Sequence, residues 1–302
     1  MAHGSFEGTF TAMVTPFRDG AIDEAAVRSL ALRQVEAGNG MVPCGTTGET
    51  PTLSPEEQLR VIALTVEAAG GKVPVIAGAG THGTDRTLDL ARRCADLGVD
   101  GLMLVCPYYN KPTQAGLEAH FRTVAETVDL PVMLYNVPGR TGVDLTAKTV
   151  LRLAEVPNIV GIKEASGNVL RAQAISAGLH GRKVPGGFRV LAGDDALMLP
   201  VVAVGGSGVV SVTANRFPKA VASAVRAALE GRWGDARDQH LRLLPVHDAM
   251  FLETNPIPIK TLMHDAELLA PEVRLPITWA HPGTLDLVKS RVAAAGLEGS
   301  ER

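Results

Sequence analysis

The sequence predicts a (β/α)8 barrel with a C-terminal helical extension, and three observations carry that expectation. Eight short apolar runs rich in Val and Ile alternate with longer stretches of helical period. The runs are near-continuous rather than alternating, as strands buried on both faces of a parallel sheet must be. The chemically unusual residues cluster where these runs end, the edge at which barrel enzymes build their active sites. A length of 302 residues suits one such barrel with an addition.

In chain order, the strand candidates are 8–14, 40–44, 73–77, 101–106, 132–135, 159–163, 189–192 and 208–212. The first helix, 23–37, sets Ala26, Val27, Leu30, Leu32 and Val35 on one side. The second, 55–69, opens with Ser54 as N-cap and Pro55 at the first helical position. Helical periods continue over 84–97, 114–128, 146–156, 170–179 and 196–204, and the last barrel unit closes near 217–229. From Trp233 onward the pattern reads as further helices at 235–244, 257–264 and 285–295. The expected organisation is a barrel over 6–230 and a helical extension over 231–302. The opening Met1-Ala2-His3-Gly4-Ser5 can be native or a cloning remnant and is left aside.

Composition narrows the function classes. Aromatics are only 4% against 46% apolar residues, so the core must be built from aliphatic layers. A net charge of −3 leaves no electrostatic footprint for nucleic acid or an anionic membrane. Cys44, Cys94 and Cys106 are odd in number and lack metal-type spacing, which reads as small buried hydrophobes in a reducing compartment. No signal peptide and no membrane-spanning stretch are visible, so a soluble cytoplasmic protein is expected.

No metal and no cofactor are expected either. There is no H-E-x-x-H pattern and no P-loop, and the histidines are scattered. His240 and His247, two helical turns apart in the extension, read as solvated or packing histidines. Gly78-Ala79-Gly80-Thr81-His82-Gly83 matches G-x-G-x-x-G, but the next strand ends in Cys106-Pro107 where a dinucleotide site wants an acid. A tight turn is the better reading.

The strand ends carry the candidate chemistry. Strand two runs into Gly45-Thr46-Thr47-Gly48-Glu49, strand four into Pro107-Tyr108-Tyr109-Asn110, strand five into Tyr135-Asn136-Val137-Pro138-Gly139-Arg140, and strand six into Lys163-Glu164. All three tyrosines of the chain fall on this rim. Lys163 emerges directly from a buried strand, where desolvation favours the neutral, nucleophilic amine that a Schiff base requires. Its structural alternative is an ion pair with Glu164 or another rim carboxylate. Thr46 and Thr47 offer hydroxyls and backbone N–H groups to a small carboxylate, or form a plain βα turn. Tyr135 can exchange protons at the barrel mouth, or be an ordinary half-buried aromatic. Arg140 can grip a second carboxylate by its planar fork, or be a solvated loop arginine.

The strings GTTGE, CPYYNKP, YNVPGRTG, GIKEASGN, GDD, GVVSVTAN and NPIPIK occur in that order across most of the chain. On these motifs the sequence resembles the dihydrodipicolinate synthase and N-acetylneuraminate lyase superfamily, and its synthase branch most closely. The resemblance implies a class I lyase that condenses pyruvate with aspartate-4-semialdehyde to 4-hydroxy-tetrahydrodipicolinate, the first committed step towards diaminopimelate and lysine. Lys163 would form the Schiff base, and Thr47 would hold the pyruvate carboxylate. Tyr135, Thr46 and Tyr109 would form a proton relay, with Tyr109 reaching the neighbouring subunit's site. Gly193 and Val210 would line the pocket, and Arg140 would bind the aldehyde's carboxylate. A homo-oligomer is implied, a dimer at least and a tetramer by analogy.

The same resemblance implies a candidate effector pocket for lysine at Tyr108, Pro55, Gln58, His82 and Arg86. Arg86 stands where a glutamate would face the ligand's ammonium group, so weak or absent lysine feedback is expected. Two other readings stay open here: a pyruvate aldolase acting on a sugar acid or hydroxy-keto acid, and a non-catalytic barrel.

Overall fold

The computed structural model describes residues 6–301; residues 1–5, set aside above, lie outside them. Strand β1 (Gly8–Ala12) is followed by a small antiparallel pair, β2 (Phe17–Arg18) and β3 (Ala21–Ile22). Helix α1 (Glu24–Ala37) starts where the Asp23 carboxylate accepts from the Ala26 backbone N–H, and it stops at Gly38, whose φ of 73° suits glycine. After β4 (Gly40–Val42) come two single 3-10 turns, Thr46–Gly48 and Thr50–Thr52. Helix α2 (Pro55–Ala69) has a full capping box: Ser54 Oγ accepts from Glu57 N at 3.2 Å while Glu57 Oε2 accepts from Ser54 N at 2.9 Å.

Next follow β5 (Ile76–Gly78), α3 (Thr84–Ala95), β6 (Gly101–Val105), α4 (Gln114–Ala125), β7 (Val132–Asn136) and the single turn α5 (Pro138–Thr141). Then come α6 (Ala147–Leu153), β8 (Ile159–Glu164), α7 (Val169–Leu179), β9 (Arg189–Ala192), α8 (Met198–Ala203) and β10 (Gly208–Ser211). Four further helices end the chain: α9 (Pro218–Leu229), α10 (Trp233–Ala249), α11 (Ile257–Asp265) and α12 (Thr284–Ala294). The first turn of α9 has no side-chain cap of its own; the Glu301 carboxylate accepts from Lys219 N and Ala220 N at 2.8 and 2.9 Å instead.

The eight strands outside the small hairpin form one sheet in the order β4-β1-β10-β9-β8-β7-β6-β5. Met41 makes a further parallel bridge to Val75, at the entry to β5, and its N–H donates to Pro74 O at 2.9 Å. The architecture is the expected (β/α)8 barrel of eight parallel strands, with additional C-terminal helices. By packing, the chain divides into two compact units, one of residues 6–7 and 76–210 and one of 8–75 and 211–301. Each has an aliphatic interior. Leu102, Leu104, Val132, Leu134 and Ile162 are fully buried in the first, as are Leu64, Ile62, Val42 and Ile259 in the second.

The differences from expectation are local. Helix α10 does not stop before Pro245 but runs through it for 17 residues. Pro245 removes one helical N–H, and the carbonyl deprived of it belongs to Leu241, which is 56% exposed and lies on the solvent side. Strand β5 starts at Ile76 rather than 73. The small hairpin and α5 were not expected from the pattern, since neither carries an apolar period of its own.

Candidate active site

Strands β7 and β8 bring two candidate side chains together by register. Tyr135 pairs with Lys163, and Asn136 pairs with Glu164. Both strands are flanked by partners, β6 and β9, so the backbone under the pair is held on each side. Lys163 is only 4% exposed, and its Nζ lies 4.3 Å from the centroid of the Tyr135 ring. The Glu164 carboxylate is taken up elsewhere. Its Oε2 accepts from Asn136 Nδ2 at 3.0 Å and its Oε1 from Ser166 N at 2.7 Å. Among the described residues no carboxylate forms an ion pair with Lys163, so the structural alternative for this lysine is not what the fold has built.

Gly193, just past β9, leaves the room that Lys163 occupies. A Cβ there would lie 3.1 Å from Lys163 Cγ and 2.5 Å from Ala165 Cβ. Asn136 ties the strand ends to the next loop. It donates to Asp144 Oδ1 at 2.9 Å and accepts from Leu145 N at 3.0 Å, while Arg171 holds Asp144 by a fork of 2.6 and 3.1 Å. The neighbouring Cys106 thiol is pushed up to about 12, first by burial and then by the charges of Asp144 and Glu164. It stays protonated and inert.

The remaining candidates of residues 76–210 are divided between loops, two helices and a strand. Tyr109 follows β6 with φ of 75° and a side chain 92% exposed, a conformation that a non-glycine residue keeps only under local constraint. Its N–H donates to Thr141 O at 3.3 Å. Tyr108 is half-buried and meets the exposed His82 ring edge-on at 5.3 Å, and Asn110 Nδ2 donates to His82 O at 3.1 Å. Arg86 is exposed on α3, Arg140 is exposed on α5, and Val210 is buried on β10. Gly80 answers the G-x-G-x-x-G pattern, because a Cβ there would strike the Val105 backbone nitrogen of β6. The glycine serves strand packing, as a turn reading requires.

In residues 8–75 and 211–301, Thr46 and Thr47 form the 3-10 turn after β4. Thr47 is buried, and Asn255 Nδ2 donates to its Oγ1 at 2.9 Å. The hydroxyl oxygen is thereby used as an acceptor, which leaves its proton to donate outward. Glu49, next in line, makes a buried ion pair with Lys260 at 2.6 Å. Pro55 is exposed at the start of α2, and Gln58 is buried with Nε2 donating to Thr50 O at 3.2 Å. His240 and His247 are both buried rather than solvated. His247 Nδ1 lies 2.9 Å from Thr213 Oγ1, and the two rings are 6.0 Å apart, a packing role.

The structure thus brings Lys163, Tyr135 and Gly193 together at the ends of β7, β8 and β9, with Arg140 on α5 after β7 and Tyr109 on the loop after β6. Thr46 and Thr47 stand at the end of β4 in the other unit. Sequence reasoning missed Asn136, Asn255 and the Glu49–Lys260 pair. One signal was available for Lys260: a lone charge in the run Ile257-Pro258-Ile259-Lys260-Thr261-Leu262-Met263. Among the described residues no group of three or more His, Cys, Asp or Glu side chains could hold a metal ion. No described helix is long and apolar enough to cross a membrane.

The chain matches the model of the Dihydrodipicolinate synthetase family over residues 5–295. It is 48% identical over 273 residues to the 4-hydroxy-tetrahydrodipicolinate synthase of Pelobacter propionicus, covering 90% of this chain and 92% of that one. Among solved structures it resembles the 4-hydroxy-tetrahydrodipicolinate synthase of Methylacidiphilum fumariolicum SolV, with a TM-score of 0.93 and 42% identity over 97% of this chain and 96% of that one. It also resembles the chloride-inhibited dihydrodipicolinate synthase of Acinetobacter baumannii complexed with pyruvate, with a TM-score of 0.93 and 40% identity over 97% and 100% of the two chains. The family motifs, the barrel and its strand-end lysine agree, and the chain belongs to the dihydrodipicolinate synthetase family.

Proposed function

We propose that the chain condenses pyruvate with aspartate-4-semialdehyde to 4-hydroxy-tetrahydrodipicolinate, acting as a class I lyase through a Schiff base on Lys163. The observation that carries this reading is the buried Lys163, unpaired by any carboxylate among the described residues and set against Tyr135 by strand register. The Nζ amine attacks the keto carbon of pyruvate, and the carbinolamine loses water to give the imine. Removal of a methyl proton then gives the enamine. Its carbon attacks the aldehyde carbon of the second substrate, forming the new C–C bond and leaving a hydroxyl. The substrate's own amine next attacks the imine carbon, closes the ring and expels the Lys163 amine.

Each residue's role follows from its chemistry. Tyr135 carries protons to and from the carbinolamine, relayed through Thr46 and Tyr109. Thr47, its oxygen fixed by Asn255, donates its proton to the pyruvate carboxylate. Gly193 and Val210 shape the pocket around the lysine. Arg140 binds the carboxylate of the aldehyde substrate by its fork. The reading includes a cytoplasmic enzyme of the lysine and diaminopimelate pathway, assembled at least as a dimer because the fully exposed Tyr109 then has a neighbouring subunit to serve.

Borohydride reduction in the presence of pyruvate, followed by intact-mass measurement, tests this directly. A pyruvate-sized adduct on the parent and none on Lys163→Ala is the expected result. A folded parent without an adduct would remove the mechanism and favour a non-catalytic barrel. Arg140→Ala should raise the KM for aspartate-semialdehyde roughly tenfold or more and leave that for pyruvate nearly unchanged. A parent that traps pyruvate but turns over only sugar-acid aldehydes would place it on the aldolase branch.

A further inference from the structure

Residues 8–75 and 211–301 contain an ion pair sealed from solvent that the reaction does not use. Lys260 and Glu49 both have side chains 0% exposed, and Lys260 Nζ donates to Glu49 Oε1 at 2.6 Å. Lys260 Nζ also donates to Thr15 O at 2.9 Å and lies 4.5 Å from the Phe17 ring centroid. The second oxygen of Glu49 accepts from Arg274 N at 3.0 Å. Burial pulls the ionisation of Lys260 down, and the Glu49 charge works against that shift.

A buried pair of this kind adds little to stability over an apolar pair of similar volume, so its role is better sought in what it fixes. Here it fixes the turn that bears Thr47. Glu49 itself sits at φ 55°, a left-handed conformation that a non-glycine residue keeps only when its surroundings impose it. Gly48 O accepts from Thr15 Oγ1 at 2.7 Å, and Thr15 O is the second acceptor of Lys260. Asn255, two residues before the helix that carries Lys260, donates to Thr47 Oγ1. Thr47, Gly48 and Glu49 are thus held one after another, with two of the three tethers anchored in residues 255–260.

We propose that the buried Glu49–Lys260 pair sets the conformation of the Thr46–Gly48 turn, and with it the aim of the Thr47 hydroxyl at the carboxylate of a 2-oxo acid. Both are positioning residues, and the inference rests on the reading that Thr47 holds that carboxylate.

The test is the paired variant Glu49→Leu/Lys260→Met, which removes both charges together and leaves none stranded. Half-saturating pyruvate is read from borohydride trapping on Lys163, beside KM for each substrate, kcat and the thermal midpoint. The expected result is a rise of roughly tenfold in half-saturating pyruvate, with the adduct still complete at saturation and the KM for the aldehyde within about twofold. A folded variant with parent-like half-saturation, whatever its thermal midpoint, would show a purely structural pair and overturn the proposal. If the paired variant does not fold, the isosteric Glu49→Gln carries the same comparison, and parent-like half-saturation there overturns it equally. Failure of the underlying Schiff-base reading looks different, because the parent itself would then trap no pyruvate.

Discussion

Replacing Asn136 with alanine should damage the strand ends that carry Lys163 and Tyr135. The side chain makes three hydrogen bonds with nitrogen and oxygen partners, to Glu164 Oε2, Asp144 Oδ1 and Leu145 N, and its Oδ1 accepts a longer one from the Cys106 thiol at 4.0 Å. Asp144 keeps its Arg171 fork, so that loss is small. Glu164 keeps only the Ser166 N–H on its other oxygen, and Leu145 N is left without an acceptor beside a fully buried side chain. An unsatisfied buried N–H costs about 1–3 kcal/mol and a weakened buried carboxylate about the same, so together they cost roughly 2–6 kcal/mol. For a chain of this size that is a fall of about 3–10 °C in the thermal midpoint. Because Asn136 and Glu164 adjoin Tyr135 and Lys163, which react in the proposed mechanism, kcat/KM should fall at least roughly tenfold as well. Thermal unfolding by circular dichroism, run beside the pyruvate-trapping assay, checks both. Asn136→Asp sharpens the test: it puts a third carboxylate against Glu164 and Asp144, so it should melt low at neutral pH and recover as acid neutralises one of them. An alanine variant that melts within about 2 °C of the parent would refute the reasoning, since the network could not then carry energies of the size that buried polar groups do.

Three further outcomes are expected. Gly193→Ala places a methyl 2.5 Å from Ala165 Cβ and 3.1 Å from Lys163 Cγ, well inside the usual ~3.5–4.0 Å, so single-turnover trapping should slow by roughly tenfold or more; parent-like trapping would show that the lysine has slack. Burial pushes His120 down from 6.5 to about 4, so the unfolded chain takes up the proton first as pH falls. Stability fully present above pH 6.5 should be lost between about 6.5 and 4, by an amount on the order of 3 kcal/mol, and urea titrations of His120→Gln should lack that slope. Lysine at millimolar concentration should leave the rate nearly unchanged, because in the effector pocket that the resemblance implies the Arg86 cation would repel the ligand's ammonium group; half-inhibition well below millimolar would contradict this.

What could be read from the chain was whatever a local pattern encodes. Helix Pro55–Ala69 was legible to the residue, because Ser54, Pro55 and the left-handed Gly70 mark its ends independently of anything it packs against. Strand β9, Arg189–Ala192, was equally plain from its apolar run. Helix α10 was cut short because a proline normally stops a helix, and only the exposure of Leu241 reveals why this one does not. At the site, sequence places Lys163 and Tyr135 each at a strand end, but their pairing in register belongs to the sheet. Glu49 and Lys260 lie 211 residues apart, so no window of sequence could join them. Asn136 was hidden more simply, as one letter between a tyrosine and a turn.

Lys163 and Tyr135 differ from Arg140 in what carries them. The first two stand on strands laddered on both sides, while Arg140 stands exposed on α5, a single turn of four residues. On the proposed mechanism, the carbon–nitrogen chemistry would therefore rest on laddered strands, and the choice of acceptor on the short segment 137–143. Divergence of such a scaffold towards other aldehydes would need to rewrite only that short stretch. A designer seeking a new carbon–carbon bond-forming catalyst could concentrate a library there and leave the nucleophile untouched.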